Sequence, residues 1–192
     1  MSQNQLPCSF YEQDAISLAK QLLGKIICYE NVAVRIVETE AYMPQDSASH
    51  AYKGKTQRNA PMFSSGGTLY VYLCYGMHQM LNIVSGTEGS PQAVLLRGGE
   101  VISGADIVQQ RRSNLDLIGP GKLAQGLGID TSFSGEFIDH SVHIWDAPPV
   151  EAYQSKPRVG IDYALPTDRD ALWRFIAPHA SPKKPKGRTK KG

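Results

Sequence analysis

No stretch of this chain reaches the roughly 18 consecutive apolar residues that a membrane-spanning helix needs. The N-terminus MSQNQLPCSF lacks the basic-then-apolar order of a secretory signal, so an intracellular protein without membrane contact is expected. Cysteine is scarce: Cys8, Cys28 and Cys74 are odd in number and widely spaced, which suits reduced thiols rather than a disulfide framework. Histidine is scarce too. His140 and His143 form the one close pair among five, and no cysteine partners them, so no metal site is expected. No internal repeat is visible, which excludes solenoids and propellers.

What is present fits a single domain with a substantial core: 192 residues, 41% of them hydrophobic. The charge is unevenly placed. KKPKGRTKKG at residues 183–192 holds six of the 20 basic residues and no acid, leaving 14 basic against 18 acidic residues, a formal −4, in the remainder. A Pro- and Lys-rich end that cannot bury apolar area is expected to be disordered; salt-sensitive affinity for phosphates is the favoured role, with solubility and a nuclear-targeting signal as alternatives. The expected organisation is an N-terminal extension at 1–8, one domain at 9–180 and a basic tail at 181–192.

Local patterns give the fold class. Ser9 and Glu12 read as a capping box opening a helix over 9–23, with Gly24 placed to end it. Strands are expected at 25–29, 32–42, 68–74, 81–85, 93–98, 142–145 and 157–161, and helices at 104–110 and from Gly121 onward. The Gly-, Pro- and Ser-containing stretch 43–67 is expected to be an ordered loop of the site. Together these predict α+β: a single domain with a curved, mainly antiparallel sheet, outer helices and a protruding β-hairpin.

Residues 35–97 carry the chemistry. In RIVETEAY a period of two puts Glu38, Glu40 and Tyr42 on one face and Val37, Thr39 and Ala41 on the other. In TLYVYLCYGM the same period puts Tyr70, Tyr72 and Cys74 opposite Leu69, Val71 and Leu73, with Tyr75-Gly76 at the tip. An acid beside clustered rings suits a site that grips a flat heterocycle and breaks a bond next to it. Extruding a base from a duplex costs a few kcal/mol, and stacking on aromatic side chains returns about 1–3 kcal/mol per base. A carboxylate beside such a pocket can orient or deprotonate water, so hydrolysis of an N-glycosidic bond is the chemistry suggested.

The motifs IVETEAY, RNAPMF and GTLYVYLCYGM stand in this order and are followed by NIVSG, AVLLR, GPGKLAQGLGI and PRVGI. In this the chain resembles the alkyladenine (3-methyladenine) DNA glycosylase family over residues 9–175. The resemblance implies a monofunctional glycosylase of base excision repair that removes alkylated or deaminated purines from double-stranded DNA. It would leave an abasic site without cutting the strand, since no lysine aligns with a Schiff-base nucleophile. Glu40 aligns with the general base; Arg97 and the backbone carbonyl of Val159 align with groups that position the attacking water. Tyr42, His50 and Tyr72 align with the rings that sandwich the flipped base, and Asn82 with an asparagine that crowds the amino group of normal guanine. Tyr75 aligns with the tyrosine that wedges into the minor groove. The resemblance implies no cofactor, no membrane partner, a monomer, and residence in cytoplasm or nucleoid of a bacterium or in a eukaryotic nucleus. The chain departs from the family's pattern at His78 and Gln79, where an aromatic pair can occur.

Without the motifs the same residues read more plainly. Adjacent acids on a strand are also a solvated face, tyrosines at strand spacing are also core, and Tyr70 is assigned to the core alone. His50 reads as a surface residue, Asn82 as a turn residue and Arg97 as a strand-end ion-pair partner. Two rival functions follow. A non-catalytic DNA-damage binding module would keep the tyrosines without requiring Glu40. A carbohydrate hydrolase would use Glu38 and Glu40, whose Cα atoms lie about 6.6 Å apart in a strand, but it leaves Tyr75-Gly76 without a role.

Overall fold

The computed structural model describes residues 4–179; most of the N-terminal extension is therefore included, and the basic tail at 181–192 lies outside the described residues. Nine strands among these residues form one curled antiparallel sheet. Along its main path run β3 (Leu69–Cys74), β4 (His78–Val84), β5 (Ala93–Ser103), β2 (Val32–Tyr42), β1 (Ile26–Tyr29) and β7 (Val142–Trp145), in that spatial order. β6 (Leu117–Ile118) pairs with β5, β9 (Arg174–Ile176) with β2, and β8 (Gln154–Lys156) with β9. α1 (Ala15–Leu22), α2 (Ala105–Arg112), α3 (Pro120–Leu127) and the single turn α4 (Pro166–Arg169) complete the fold. The expected α+β class with outer helices and a protruding hairpin is thus observed.

Helix α1 begins later than the Ser9–Glu12 pattern predicts. Residues Cys8–Tyr11 make one 3-10 turn, Tyr11 is fully buried, and its carbonyl accepts from Gly86 N at 2.9 Å rather than continuing a helix. Asp14 is the true cap: its carboxylate accepts from the N–H groups of Ile16 and Ser17, both at 3.0 Å. The helix buries Leu18, Ala19 and Leu22 against β2, and Thr39 Oγ1 donates to Ala19 O at 2.9 Å. Within the nominal extension, Gln5 bridges to Trp145 and Leu6 N donates to Ile144 O at 3.1 Å, so this segment runs along β7.

The β2–β5 ladder is broken at one level. Pairing steps from Ile36↔Gly99 to Glu38↔Gly98 and then to Thr39↔Leu96, so neither Val37 nor Arg97 has a partner opposite. Such a break shifts the face that each side chain occupies. On β2, Val32, Val34 and Ile36 belong to the core before it, and Val37 and Ala41 after it. On β5, Val94 and Leu96 belong to the core on one side, and Val101 packs against it on the other. Glu38, Glu40 and Arg97 are left together on the opposite face. Gly98 and Gly99 permit this close crossing, and β5 runs through them to Ser103 instead of stopping at 98 as expected.

Two other differences from the sequence expectation have local causes. β4 starts at His78, not 81, because hairpin pairing extends to Cys74↔His78 although those residues carry no apolar alternation. The strand expected at 157–161 does not form, and that stretch is a loop whose backbone and side chains are spent on the site. Short α4 and β9 are further elements that the sequence pattern left unassigned.

A Cβ added at Gly99 would sit 2.2 Å from Val34 Cγ1 and 3.0 Å from Arg35 O. Gly99→Ala should therefore lower the unfolding free energy in urea by about 1–3 kcal/mol; an unchanged midpoint would show that the ladder break does not depend on this glycine.

Candidate active site

Glu40 lies on β2 with no exposed side-chain surface. Its Oε1 accepts from Val159 N–H at 2.9 Å and lies 3.5 Å from Arg97 Nε; its Oε2 accepts from the Tyr42 hydroxyl at 2.9 Å. The neighbouring acid is held differently. Glu38 Oε1 accepts from both Arg97 Nε and Arg174 Nη1, each at 3.1 Å. Arg97 thus leans toward Glu38, and Glu40 is held mainly by neutral donors. Burial pushes the Glu40 carboxyl above its ordinary range, opposed by Arg97, the Val159 N–H and the Tyr42 hydroxyl. Burial and the charge of Glu40 push Tyr42 well up, so it remains a proton donor.

Tyr42 opens onto a half-enclosed cleft that is also lined by His50, Tyr70, Tyr72, Asn82 and Tyr163. The rings of His50 and Tyr72 are already in contact, with centroids 4.5 Å apart at 62°. This contact leaves no gap for a further ring between the two. Burial, and secondarily Arg58, lowers the pKa of His50, which keeps the imidazole neutral near pH 7. Arg58 itself stacks on Tyr72, 5.3 Å from the ring centroid. Tyr70, assigned to the core from sequence, is indeed buried, but its hydroxyl lies 2.8 Å from His50 Nδ1 and its ring belongs to the cleft. Asn82 Nδ2 donates to Tyr70 O and Met80 O at 3.0 and 3.2 Å, which fixes this amide at the cleft wall.

The β3–β4 hairpin carries Tyr70, Tyr72 and Asn82 at its base and Tyr75 at its tip. Tyr75 is 90% exposed. It and Gly76 have φ of +50° and +70°, and Met77 N donates to Cys74 O at 3.1 Å, as in a turn of the primed type. The left-handed region is uncommon for a residue with a ring, so the tip projects a side chain at some backbone cost.

The sequence reading missed the clamp behind Tyr42. Arg158 and Asp46 both have fully buried side chains and form a two-pronged ion pair. Arg158 also donates to Ala41 O and Asp168 O, both at 3.0 Å, and lies between the Tyr42 and Trp173 rings at 4.7 and 5.0 Å. Burial works against its charge and Asp46 more than offsets that, so the net shift is upward. Ser47 donates its hydroxyl to Asp168 and accepts from Leu165 N at 2.9 Å. Residues 43–50 and 157–168 are thereby tied together, with Val159 placed on Glu40. No spacing rule links Asp46 to Arg158, which are 112 residues apart.

Among the described residues there is no group of three His, Cys, Asp or Glu side chains able to hold a metal ion, and no helix is long and apolar enough to cross a membrane. A cleft walled by aromatic rings, with a desolvated carboxylate behind one wall, is the arrangement that a hydrolase acting beside a heterocycle would need. Comparison narrows the class. The profile of the methylpurine-DNA glycosylase (MPG) family matches residues 9–181. The chain is 47% identical over 178 residues to DNA-3-methyladenine glycosylase of Arabidopsis thaliana, covering 88% of this chain and 70% of that protein. It is 43% identical over 180 residues to a putative 3-methyladenine DNA glycosylase of Nitrosococcus oceani, covering 90% of each. Against the protein of the same description from Chlorobaculum tepidum it is 42% identical over 207 residues, covering 97% of each. The chain belongs to the methylpurine-DNA glycosylase family.

Asp46→Ala leaves a buried guanidinium without its counter-charge and should cost about 3–5 kcal/mol of stability, read from the denaturant midpoint. A midpoint equal to that of the unaltered protein would mean that the clamp does not hold the two loops.

Proposed function

We propose that this DNA glycosylase takes a damaged purine out of double-stranded DNA into the cleft and hydrolyses its N-glycosidic bond with a water activated by Glu40. The observation that carries the reading is the setting of Glu40: fully buried, raised in pKa, and bonded to Tyr42, whose ring forms part of the cleft. An acid desolvated in this way is a better proton acceptor than one in water. Its charge also stabilises the positive sugar of an oxocarbenium-like transition state. Arg97 and the backbone carbonyl of Val159 complete the grip on the water.

Tyr42 and the contacting pair His50 and Tyr72 hold the flipped base, and Tyr75 at the exposed hairpin tip fills the gap left in the duplex. Stacking on these rings at about 1–3 kcal/mol per base offsets the lost pairing and stacking. Asn82, fixed by its two carbonyl partners, disfavours normal guanine. The substrates are alkylated or deaminated purines of the 3-methyladenine, 7-methylguanine and hypoxanthine class. The relatives' names point to the first of these. An alkylated purine is cationic and leaves readily, so Glu40 supplies most of what its release requires. Among the described residues no lysine lines the cleft, in keeping with a monofunctional enzyme that leaves an abasic site. The protein acts as a monomer inside the cell, with the basic residues of 183–192 adding affinity for phosphate.

Base release from a duplex with one hypoxanthine or methylated purine, scored by alkaline cleavage at the abasic site, tests this reading. Glu40→Gln should lose about 10²- to 10⁴-fold in rate while still binding the duplex. Release at the unaltered rate would remove Glu40 from the mechanism; no release by the unaltered protein from any such duplex would overturn the reading. Since Glu40 must be ionised to act and burial raises its pKa, the rate should fall with decreasing pH through a midpoint above the ordinary glutamate value. A rate flat down to pH 4 would contradict this role.

A further inference from the structure

Tyr163 lies outside every motif that marks the chain, yet its ring lines the same cleft as Tyr42 and His50 and is 70% exposed. Exposure here is not slack. The hydroxyl donates to Ala48 O at 3.1 Å. The flanking residues are held as well: Ala164 N donates to Ile161 O at 2.9 Å, and Leu165 N to Ser47 Oγ at 2.9 Å. Burial of the hydroxyl end raises the Tyr163 pKa, with Asp46 and, from the hairpin, Tyr75 and Cys74 adding to it. The ring is therefore anchored at one end and wet along its face.

We infer that Tyr163 is a nucleotide-binding residue: its exposed ring packs on the deoxyribose of the flipped nucleotide and keeps that nucleotide out of the duplex. This rests on the glycosylase reading above. The surface around the ring suits a sugar and not a phosphate. Val159 and Leu165, 49% and 55% exposed, flank it in the chain, and the one charged residue of VGIDYAL over 159–165 is Asp162, an acid that disfavours a phosphate. A tyrosine offers such contact at little entropic cost because it has only two side-chain torsions, and this one is already pinned. An apolar ring left in water gains by meeting the carbon face of a sugar once the base is seated behind it.

The test uses the full chain and a duplex with hypoxanthine flanked by 2-aminopurine, whose fluorescence rises when its neighbour leaves the stack. Single-turnover base release is followed on the same duplex. Tyr163→Ala should show a smaller fluorescence rise and slower release, by about 10- to 100-fold, the range of one lost aromatic stack. Tyr163→Phe, which keeps the ring and gives up the bond to Ala48, should lose less. If the unaltered protein releases base and Tyr163→Ala matches it in both signals, the inference fails and the glycosylase reading stands. Equal losses in both variants, with both melting lower, would make Tyr163 a structural residue and also overturn the inference. If the unaltered protein raises the fluorescence but releases nothing, the glycosylase reading falls and this inference falls with it.

Discussion

The break in the β2–β5 ladder is the constraint on which the site depends. A strand with unbroken alternation would carry Glu38 and Glu40 on the same face as Val34 and Ile36, and two carboxylates would point into the core. By skipping Val37 on one strand and Arg97 on the other, the sheet keeps a continuous apolar layer under α1 and moves three charged side chains to the far face. The two glycines after Arg97 let the strands approach at that level. Packing and chemistry are therefore served by one irregularity.

Moving the charges is only the first requirement, because they remain buried. Glu38 is bonded to two arginines, whereas Glu40 accepts from a backbone N–H and a phenol and feels Arg97, and less strongly Arg158, at longer range. The result is a division of roles between two acids two residues apart. Glu38 acts as the fixed counter-ion of Arg97 and Arg174. Glu40 carries the less compensated charge, which favours taking a proton or facing a positive transition state.

The walls come from parts of the chain that meet only in the fold. Tyr42 ends β2, His50 lies in the following loop, Tyr70, Tyr72 and Asn82 belong to the hairpin, and Tyr163 comes from a loop more than a hundred residues later. The buried Arg158–Asp46 pair joins that late loop to the early one and packs against Tyr42. Breaking a buried pair costs far more than forming it gains, so the clamp serves to specify geometry.

The sequence by itself determined the α+β class, the extents of β2 and β7 and the hairpin with its exposed tyrosine, because alternation and turn residues are local signals. It also placed Glu40, Tyr42, Tyr72 and Asn82 on strands of what proves to be one sheet, with β5 between β2 and the β3–β4 hairpin, and its motifs matched the family. Local pattern misplaced the start of α1, since the burial of Tyr11 and the better cap at Asp14 override a plausible box at Ser9. It proposed a strand at 157–161 because it could not register that Val159 N–H is taken by Glu40 and that Arg158 is buried. Tertiary structure alone decided that Tyr70 bonds His50, that Arg158 and Asp46 lock the loops, and that Tyr163 lines the cleft. It also decided which acid keeps the weaker compensation. Alternation treats Glu38 and Glu40 alike, and only the three-dimensional positions of Arg97, Arg174 and Val159 separate them.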